Sequence, residues 1–180
     1  NHLVPFGEYI PFESYLRGII DFFNMPMSSV KNGIFSNEPF IFNKHINIFP
    51  QICFDIAFSG SYSKLSKNTN LIINISNDTW FGNSIGPLQH LNIARIRAIE
   101  HNKWLIRGTN DGISAIISNK GTIVEKSIKG ETMIINGDVN LINQTSFLMK
   151  YGIYVLKCIY LIMTLLVIST IYKIYGYNKE

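Results

Sequence analysis

From Ile153 to Ile174 the chain reads IYVLKCIYLIMTLLVISTIYKI, twenty-two residues without an Asp or a Glu. At about 1.5 Å per residue, a helix of this length spans roughly 33 Å, enough for a hydrocarbon core about 30 Å thick. Lys157 and Lys173 sit toward its two ends, where the aliphatic stem can lie along apolar surface while the ammonium reaches water. Tyr151, Tyr154, Tyr172, Tyr175 and Tyr177 flank or punctuate the ends, as aromatic belts do at membrane–water boundaries. The alternative is a buried core helix, but a helix this long in a soluble core normally keeps a polar side. Residues 151–175 are therefore expected to cross a membrane, with 176–180 as a short tail. Lys150 and Lys157 on one side nearly balance Lys173 and Lys179 on the other, so charge alone does not orient the span.

The remainder is the size of one domain, in a chain of 180 residues. Apolar residues make up 47% and charged residues 16%, against a usual charged share of about 25%. Such a balance excludes disorder for most of the chain, because disorder requires low hydrophobicity and high charge. The net charge is +4, and the sixteen Lys and Arg are scattered rather than gathered into a stripe. A nucleic-acid partner is not expected. Two cysteines, Cys53 and Cys158, cannot build a disulfide scaffold. The chain opens on Asn1-His2-Leu3-Val4-Pro5, without a charged segment leading into an apolar one. No signal peptide is expected there, and a longer parent protein is.

Residues 1–150 read as a mixed α/β domain. Pro5, Gly7 and Pro11 make the opening a loop. Phe12 to Met25 has helical spacing, and Pro26 ends it. Ile46 to Phe58 is apolar and β-leaning although Pro50 interrupts it, and Leu71 to Ser76 is a compact buried-type strand. Pro87 opens a long helix carrying Leu88, Leu91, Ala94, Ala98 and Ile99. Trp104 to Ile106 is a short strand, Ile113 to Val124 a hairpin around Asn119-Lys120-Gly121, and Met133 to Val139 a last strand. Elements alternate first and strands run together later, which argues for a layered α/β sandwich over a simple parallel sheet.

Several residues could carry chemistry. Cys53 follows a β-leaning run and precedes Phe54-Asp55. A nucleophile at a strand end is well placed, because the next backbone N–H can face a developing oxyanion; a small buried hydrophobe is the plainer reading. Glu8, alone among apolar residues and turn formers in HLVPFGEYIP, is either a base with a raised pKa or a solvated loop residue. The stretch ISNDTWFG from Ile75 to Gly82 places Ser76, Asn77, Asp78, Thr79 and Trp80 directly after a buried strand, where sites are built, or forms a structural turn plugged by Trp80. His90 on the following helix is a possible thiolate partner for Cys53 or a structural histidine. No metal-ligand spacing or phosphate-cradling loop is present.

The strings HLVPFGEYIP, ICFDIAF, ISNDTWFGNSIGPLQHLNIARIRAIEHNKWLIRGTNDGISAII and NKGTI together resemble the C-terminal part of the bacterial apolipoprotein N-acyltransferase family, membrane enzymes carrying a nitrilase-superfamily (carbon–nitrogen hydrolase) domain. The resemblance runs nearly end to end. It implies a nitrilase-like α-β-β-α sandwich, of which residues 1–150 are the C-terminal part, on the outer face of the bacterial inner membrane. A last transmembrane helix would then return the chain to the cytoplasm.

The resemblance also implies a catalytic Glu, Lys and Cys. Cys53 matches the nucleophile. Glu8 matches a second glutamate that supports the Lys and the substrate amine. The family's motif K-x-H-L-V-P-F-G-E aligns from Asn1 to Glu8, which puts the Lys just before Asn1 and the general-base Glu further upstream. Phe54 and Asp55 stand where the family has Tyr and Glu, losing a hydroxyl and shortening a carboxylate beside the site. Phe54, Asp55, Asn77, Trp80 and Phe81 are the expected oxyanion or substrate contacts.

The implied reaction is acyl transfer through a Cys53 thioester. A phospholipid, expected to be phosphatidylethanolamine, is the donor, and the α-amine of a diacylglyceryl-apolipoprotein is the acceptor; no cofactor is implied. The rival readings are a soluble-type amide or nitrile hydrolase of the same superfamily, which the C-terminal span opposes, and a non-enzymatic remnant.

Overall fold

The computed structural model describes residues 39–58 and 69–177. The chain divides into two units after Gln144. Glu8 and the helix expected over Phe12 to Met25 lie outside the described residues.

The first unit holds a six-stranded mixed sheet whose strands lie side by side in chain order. They are β1 (Phe40–Ile41), β2 (Asn47–Ile52), β3 (Leu71–Asn77), β4 (Trp104–Asn110), β5 (Ala115–Ile117) and β6 (Ile123–Lys126). The central pairs β2–β3 and β3–β4 are parallel, while β1–β2, β4–β5 and β5–β6 are antiparallel. A short 3₁₀ turn, Cys53–Ala57, follows β2, another, Thr79–Phe81, follows β3, and α1 (Gly86–His101) crosses from β3 to β4.

Parallel neighbours need such a crossover, and the sequence provides a helix for it. Pro87, His90, Leu91, Ala94, Arg97, Ala98 and His101 are the buried positions of α1 together with Gly86, a spacing of three and four that turns one face inward. Pro87 needs no intrahelical donor in the first turn. Asn102 ends the helix in a left-handed conformation, φ 52°, its N–H reaching the carbonyls of Ala98 and Ile99, as an Asn can where most side chains clash.

Side chains alternate across a strand, so register decides what α1 covers. Phe49 pairs with Ile72, Ile72 with Leu105, and Leu105 with Ile117; all four are buried, and α1 packs against β4 and β5. Pro50 sits within β2 without breaking it. The opposite face of the sheet carries Ile52 and Ile75, both exposed, with Ile73 and Ile106 half-buried.

The hairpin expected around residues 119–121 is present as β5 and β6, with Gly121 at φ 75° in its turn. The strand from Trp104 is longer than its apolar core suggested, because β3 supplies a parallel partner for all seven residues. Met133 to Val139, expected as a strand, forms none. Asn136-Gly137-Asp138 interrupts it with residues that disfavour strands. The chain beyond it is instead held by single bonds: Ile142 N–H donates to the Asn70 carbonyl at 3.2 Å, and Lys103 Nζ donates to the carbonyls of Ile142 and Gln144. Burial pushes the Lys103 pKa down to about 8.

The second unit contains α2 (Phe147–Tyr177). Its Phe147–Ile174 portion is long and apolar enough to cross a membrane.

Candidate active site

β2 and β3 run parallel, and their carboxyl ends are where the functional candidates gather, as in other open α/β sheets. β2 ends at Ile52, and Cys53 begins the 3₁₀ turn with φ 49°. A non-glycine residue held in this region costs on the order of 1–3 kcal/mol and persists only where its surroundings impose it.

Those surroundings come from β3, β4 and α1. Asn74 Nδ2 donates to the carbonyls of Gln51 and Cys53, at 3.2 and 3.3 Å. Arg97, on α1, donates from Nε to the Ile56 carbonyl and from Nη2 to that of Ala57, each at 2.9 Å, so the far end of the turn is tied as well. Cys53 Sγ is half-buried, 3.5 Å from Ser76 Oγ and 4.0 Å from the Asn77 carbonyl oxygen.

Behind the sulfur lies a polar cluster. Ser76 Oγ is 2.7 Å from Asp78 Oδ1. Arg107 Nη2 donates to Asp78 Oδ2 at 2.7 Å, Arg107 Nη1 donates to Asn74 Oδ1, and His90 Nδ1 lies 3.0 Å from Asp78 Oδ1. Burial opposes ionisation of Asp78, but the bonds to His90 and Ser76 and the charge of Arg107 outweigh it. The carboxyl is held at about 2 against its usual 3.8. Burial lowers the Arg107 pKa from its ordinary value, while the charge of Asp78 and its hydrogen bond act the other way.

The structure therefore brings together some of the residues singled out in the sequence and separates others. Cys53 and Asn77 share the strand ends. Asn77 Oδ1 accepts from the Thr79 N–H at 3.2 Å and stabilises its own turn. Phe54 and Phe81 both pack against the His90 ring, the first tilted and the second edge-on, with centroids 5.7 Å away in each case. His90 thus belongs to Asp78 and to these two rings, rather than pairing with Cys53 as one sequence reading allowed. Asp55 is buried in the turn, and Trp80 is 78% exposed. Sequence reasoning passed over Asn74 and Arg107. The available signal was the polar series Asn74, Ser76, Asp78 at a spacing of two, which puts Asn74 and Ser76 on one side of the strand and Asp78 just beyond its end.

The mixed sheet thus carries a cysteine at the carboxyl edge of its parallel strands, in a strained turn over a buried ionic cluster. The chain belongs to the carbon-nitrogen hydrolase family, whose pattern matches residues 1–146. It has the nitrilase-superfamily fold, with one apolar C-terminal helix that could cross a membrane. Among curated relatives it is similar to the apolipoprotein N-acyltransferase of Vibrio parahaemolyticus serotype O3:K6, 42% identical over 153 residues, or 84% of this chain and 30% of that protein. The apolipoprotein N-acyltransferase of Pseudomonas putida is 43% identical over 137 residues, 76% of this chain and 27% of that one. The chain thus spans somewhat under a third of the length of these relatives. Among solved structures, a CN-hydrolase superfamily protein of Xanthomonas campestris aligns over 54% of this chain and 41% of its own, with a TM-score of 0.44 and 19% identity.

Proposed function

We propose that this chain carries the thiol nucleophile of an apolipoprotein N-acyltransferase, and that Cys53 takes a fatty acyl group from a phospholipid and passes it to the N-terminal amine of a diacylglyceryl-cysteine. The observation that carries the reading is Cys53 at the head of its turn, half-exposed and fixed from behind by Asn74 and Ser76, in a chain about 42% identical to proteins of that name.

In the first half-reaction the thiolate adds to the ester carbonyl of the donor, for which phosphatidylethanolamine is the expected species. The C–O bond breaks, a proton goes to the departing alkoxide, and lysophospholipid leaves a thioester. In the second, the acceptor amine adds to the thioester, loses its proton and forms the amide, and the thiol returns. Splitting a hard ester-to-amide exchange in this way replaces one high barrier by two lower ones. The backbone N–H following Cys53 is a donor candidate for the oxyanion.

Phe54, Asp55, Asn77 and Phe81 would shape the site, exposed Trp80 would meet the acyl chains, and Glu8 would support the missing ammonium group. The resemblance assigns a Lys and a general-base Glu upstream of Asn1. The 180 residues by themselves are accordingly proposed to be inactive: an oxyanion donor is worth about 10²–10³ in rate and a general base roughly 10²–10⁴. In this reading α2 anchors the domain at the periplasmic side of the inner membrane, where both lipid substrates reside. The second sheet of the sandwich would cover the apolar face bearing Ile52 and Ile75.

The test uses the longer parent protein and a phospholipid radiolabelled in its acyl chains. The wild type should accumulate a hydroxylamine-labile acyl-protein and, on addition of a diacylglyceryl lipopeptide, transfer the label. Cys53→Ser should do neither within minutes, while Cys158→Ala should do both. Retention of hydroxylamine-labile labelling in Cys53→Ser would assign the thioester to another residue.

A further inference from the structure

Asn74, Ser76, Asp78, His90 and Arg107 are all nearly or wholly out of solvent. Apolar residues would fill that side of the sheet without the desolvation cost of five polar groups. What these groups achieve is a connection: two separate lines of hydrogen bonds lead from Asp78 to Cys53. The first runs from Asp78 Oδ1 to Ser76 Oγ at 2.7 Å and on to Cys53 Sγ at 3.5 Å. The second runs from Asp78 Oδ2 to Arg107, from Arg107 to Asn74 Oδ1, and from Asn74 Nδ2 to the carbonyls on either side of the Ile52–Cys53 junction.

We propose that Asp78 is a positioning residue for Cys53, acting on the sulfur through Ser76 and on the backbone through Arg107 and Asn74. The inference rests on Cys53 as the reactive thiol of the proposed function, but not on the identity of acyl donor or acceptor.

The Ser76 hydroxyl has one proton and two neighbours. A carboxylate at 2.7 Å takes it, since bonds to an ionised acceptor are about twice as strong as neutral ones, and a sulfur at 3.5 Å is a weak competitor. The oxygen lone pairs then face Sγ, so the resting thiol donates its S–H to Ser76 Oγ. That bond selects one side-chain rotamer for Cys53, and an incoming electrophile must break it. The second line holds the left-handed turn: Asn74 bridges two carbonyls that an ordinary strand end would direct elsewhere, and Arg107 fixes which way the Asn74 amide faces.

The experiment follows alkylation of Cys53 by iodoacetamide at pH 7.5, read by intact mass, on the full chain in detergent with Cys158→Ala as background. Ser76→Ala should raise the alkylation rate about three- to tenfold, the worth of one neutral hydrogen bond, and should lower the thermal midpoint because the buried Asp78 carboxylate loses one donor. Ser76→Thr, which keeps the hydroxyl, should return the rate to within about twofold of the parent. In an Asp78→Asn background the Ser76→Ala effect should disappear, because the hydroxyl proton is no longer committed. Where Asp78→Asn does not fold, the Ser76 pair decides alone. An unchanged rate in Ser76→Ala, or a Thr variant that behaves like Ala, overturns the proposal. The alkylation pattern is independent of phospholipid, so its success beside a failure of thioester formation would leave the positioning role standing and reject only the acyl-transfer reading.

Discussion

Gly112 lies so close to Asp78 that a Cβ at residue 112 would sit 2.5 Å from Asp78 Oδ2 and 2.8 Å from Asp78 Cβ. The turn after β4 therefore closes directly over the carboxylate, and only a residue without a side chain lets it do so. Asp78 cannot swing away cheaply, since Arg107 and Ser76 hold it. Gly112→Ala should destabilise the domain by about 1–3 kcal/mol, the usual cost of forcing a methyl group into a filled site. Urea unfolding followed by tryptophan fluorescence reads this as a lower midpoint at constant slope; an unchanged midpoint would mean that the turn relaxes freely.

The Asp78–Arg107 pair is wholly buried, with both side chains at 0% exposure. Removing one partner of such a pair strands a charge, which costs about 3–5 kcal/mol. Arg107→Met should show a loss of that order in equilibrium unfolding. The same pair makes a pH signature. The folded carboxyl titrates at about 2 and the reference value is 3.8, so the unfolded chain takes up the proton first as pH falls. The contribution of Asp78 is complete above pH 3.8 and is lost as pH drops through 2.

His101 should dominate acid sensitivity at milder pH. It lies in the last turn of α1, and burial, followed by the charges of Arg97 and Lys103, pushes its pKa from 6.5 down to about 3. Between these values the unfolded chain carries a proton that the folded one refuses. Stability should therefore fall as pH decreases from 6.5 toward 3, by at most about 1.4 kcal/mol per pH unit from this group. His101→Gln should flatten the unfolding midpoint against pH over that window. A wild-type midpoint constant from pH 6.5 to 4 would exclude the effect.

Local pattern made part of this fold readable. The continuous apolarity of Ile153 to Ile174, the proline ahead of Leu88 and Leu91, and the Gly in the 119–121 turn each act over a few residues, and α2, α1 and the β5–β6 hairpin are where those signals stood. The strand expected at 133–139, which does not form, shows the limit: an apolar run becomes a strand only when a partner lies alongside. Of the candidate site, Cys53 and the polar stretch after β3 stood out in the sequence, but their connections did not. Asn74 meets Arg107 because β3 and β4 pair in one particular register, a relation between residues 33 apart that no local pattern states. Treating LIINIS as uniformly buried also hid the alternation that sets Asn74 and Ser76 apart from Ile73 and Ile75.

The final expectation concerns α2. Its exposed apolar side chains include Leu156, Leu161, Leu165 and Leu166, and its two interior threonines are already satisfied: Thr164 Oγ1 donates to the Tyr160 carbonyl and Thr170 Oγ1 to that of Leu166, each at 2.8 Å. A helix in hydrocarbon must meet its polar groups from within, and these two hydroxyls do so. If Phe147–Ile174 spans a bilayer, the protein should stay in the membrane pellet through alkaline carbonate extraction. Leu161→Arg combined with Leu165→Arg places two charges near the centre of the span, each costing about 2.5–3.5 kcal/mol to insert, and should move the protein to the supernatant. Thr164→Val should remain in the pellet, because it removes a hydroxyl whose only described bond is to its own helix. Extraction of the wild type by carbonate would show instead that α2 lies on a surface or packs against protein.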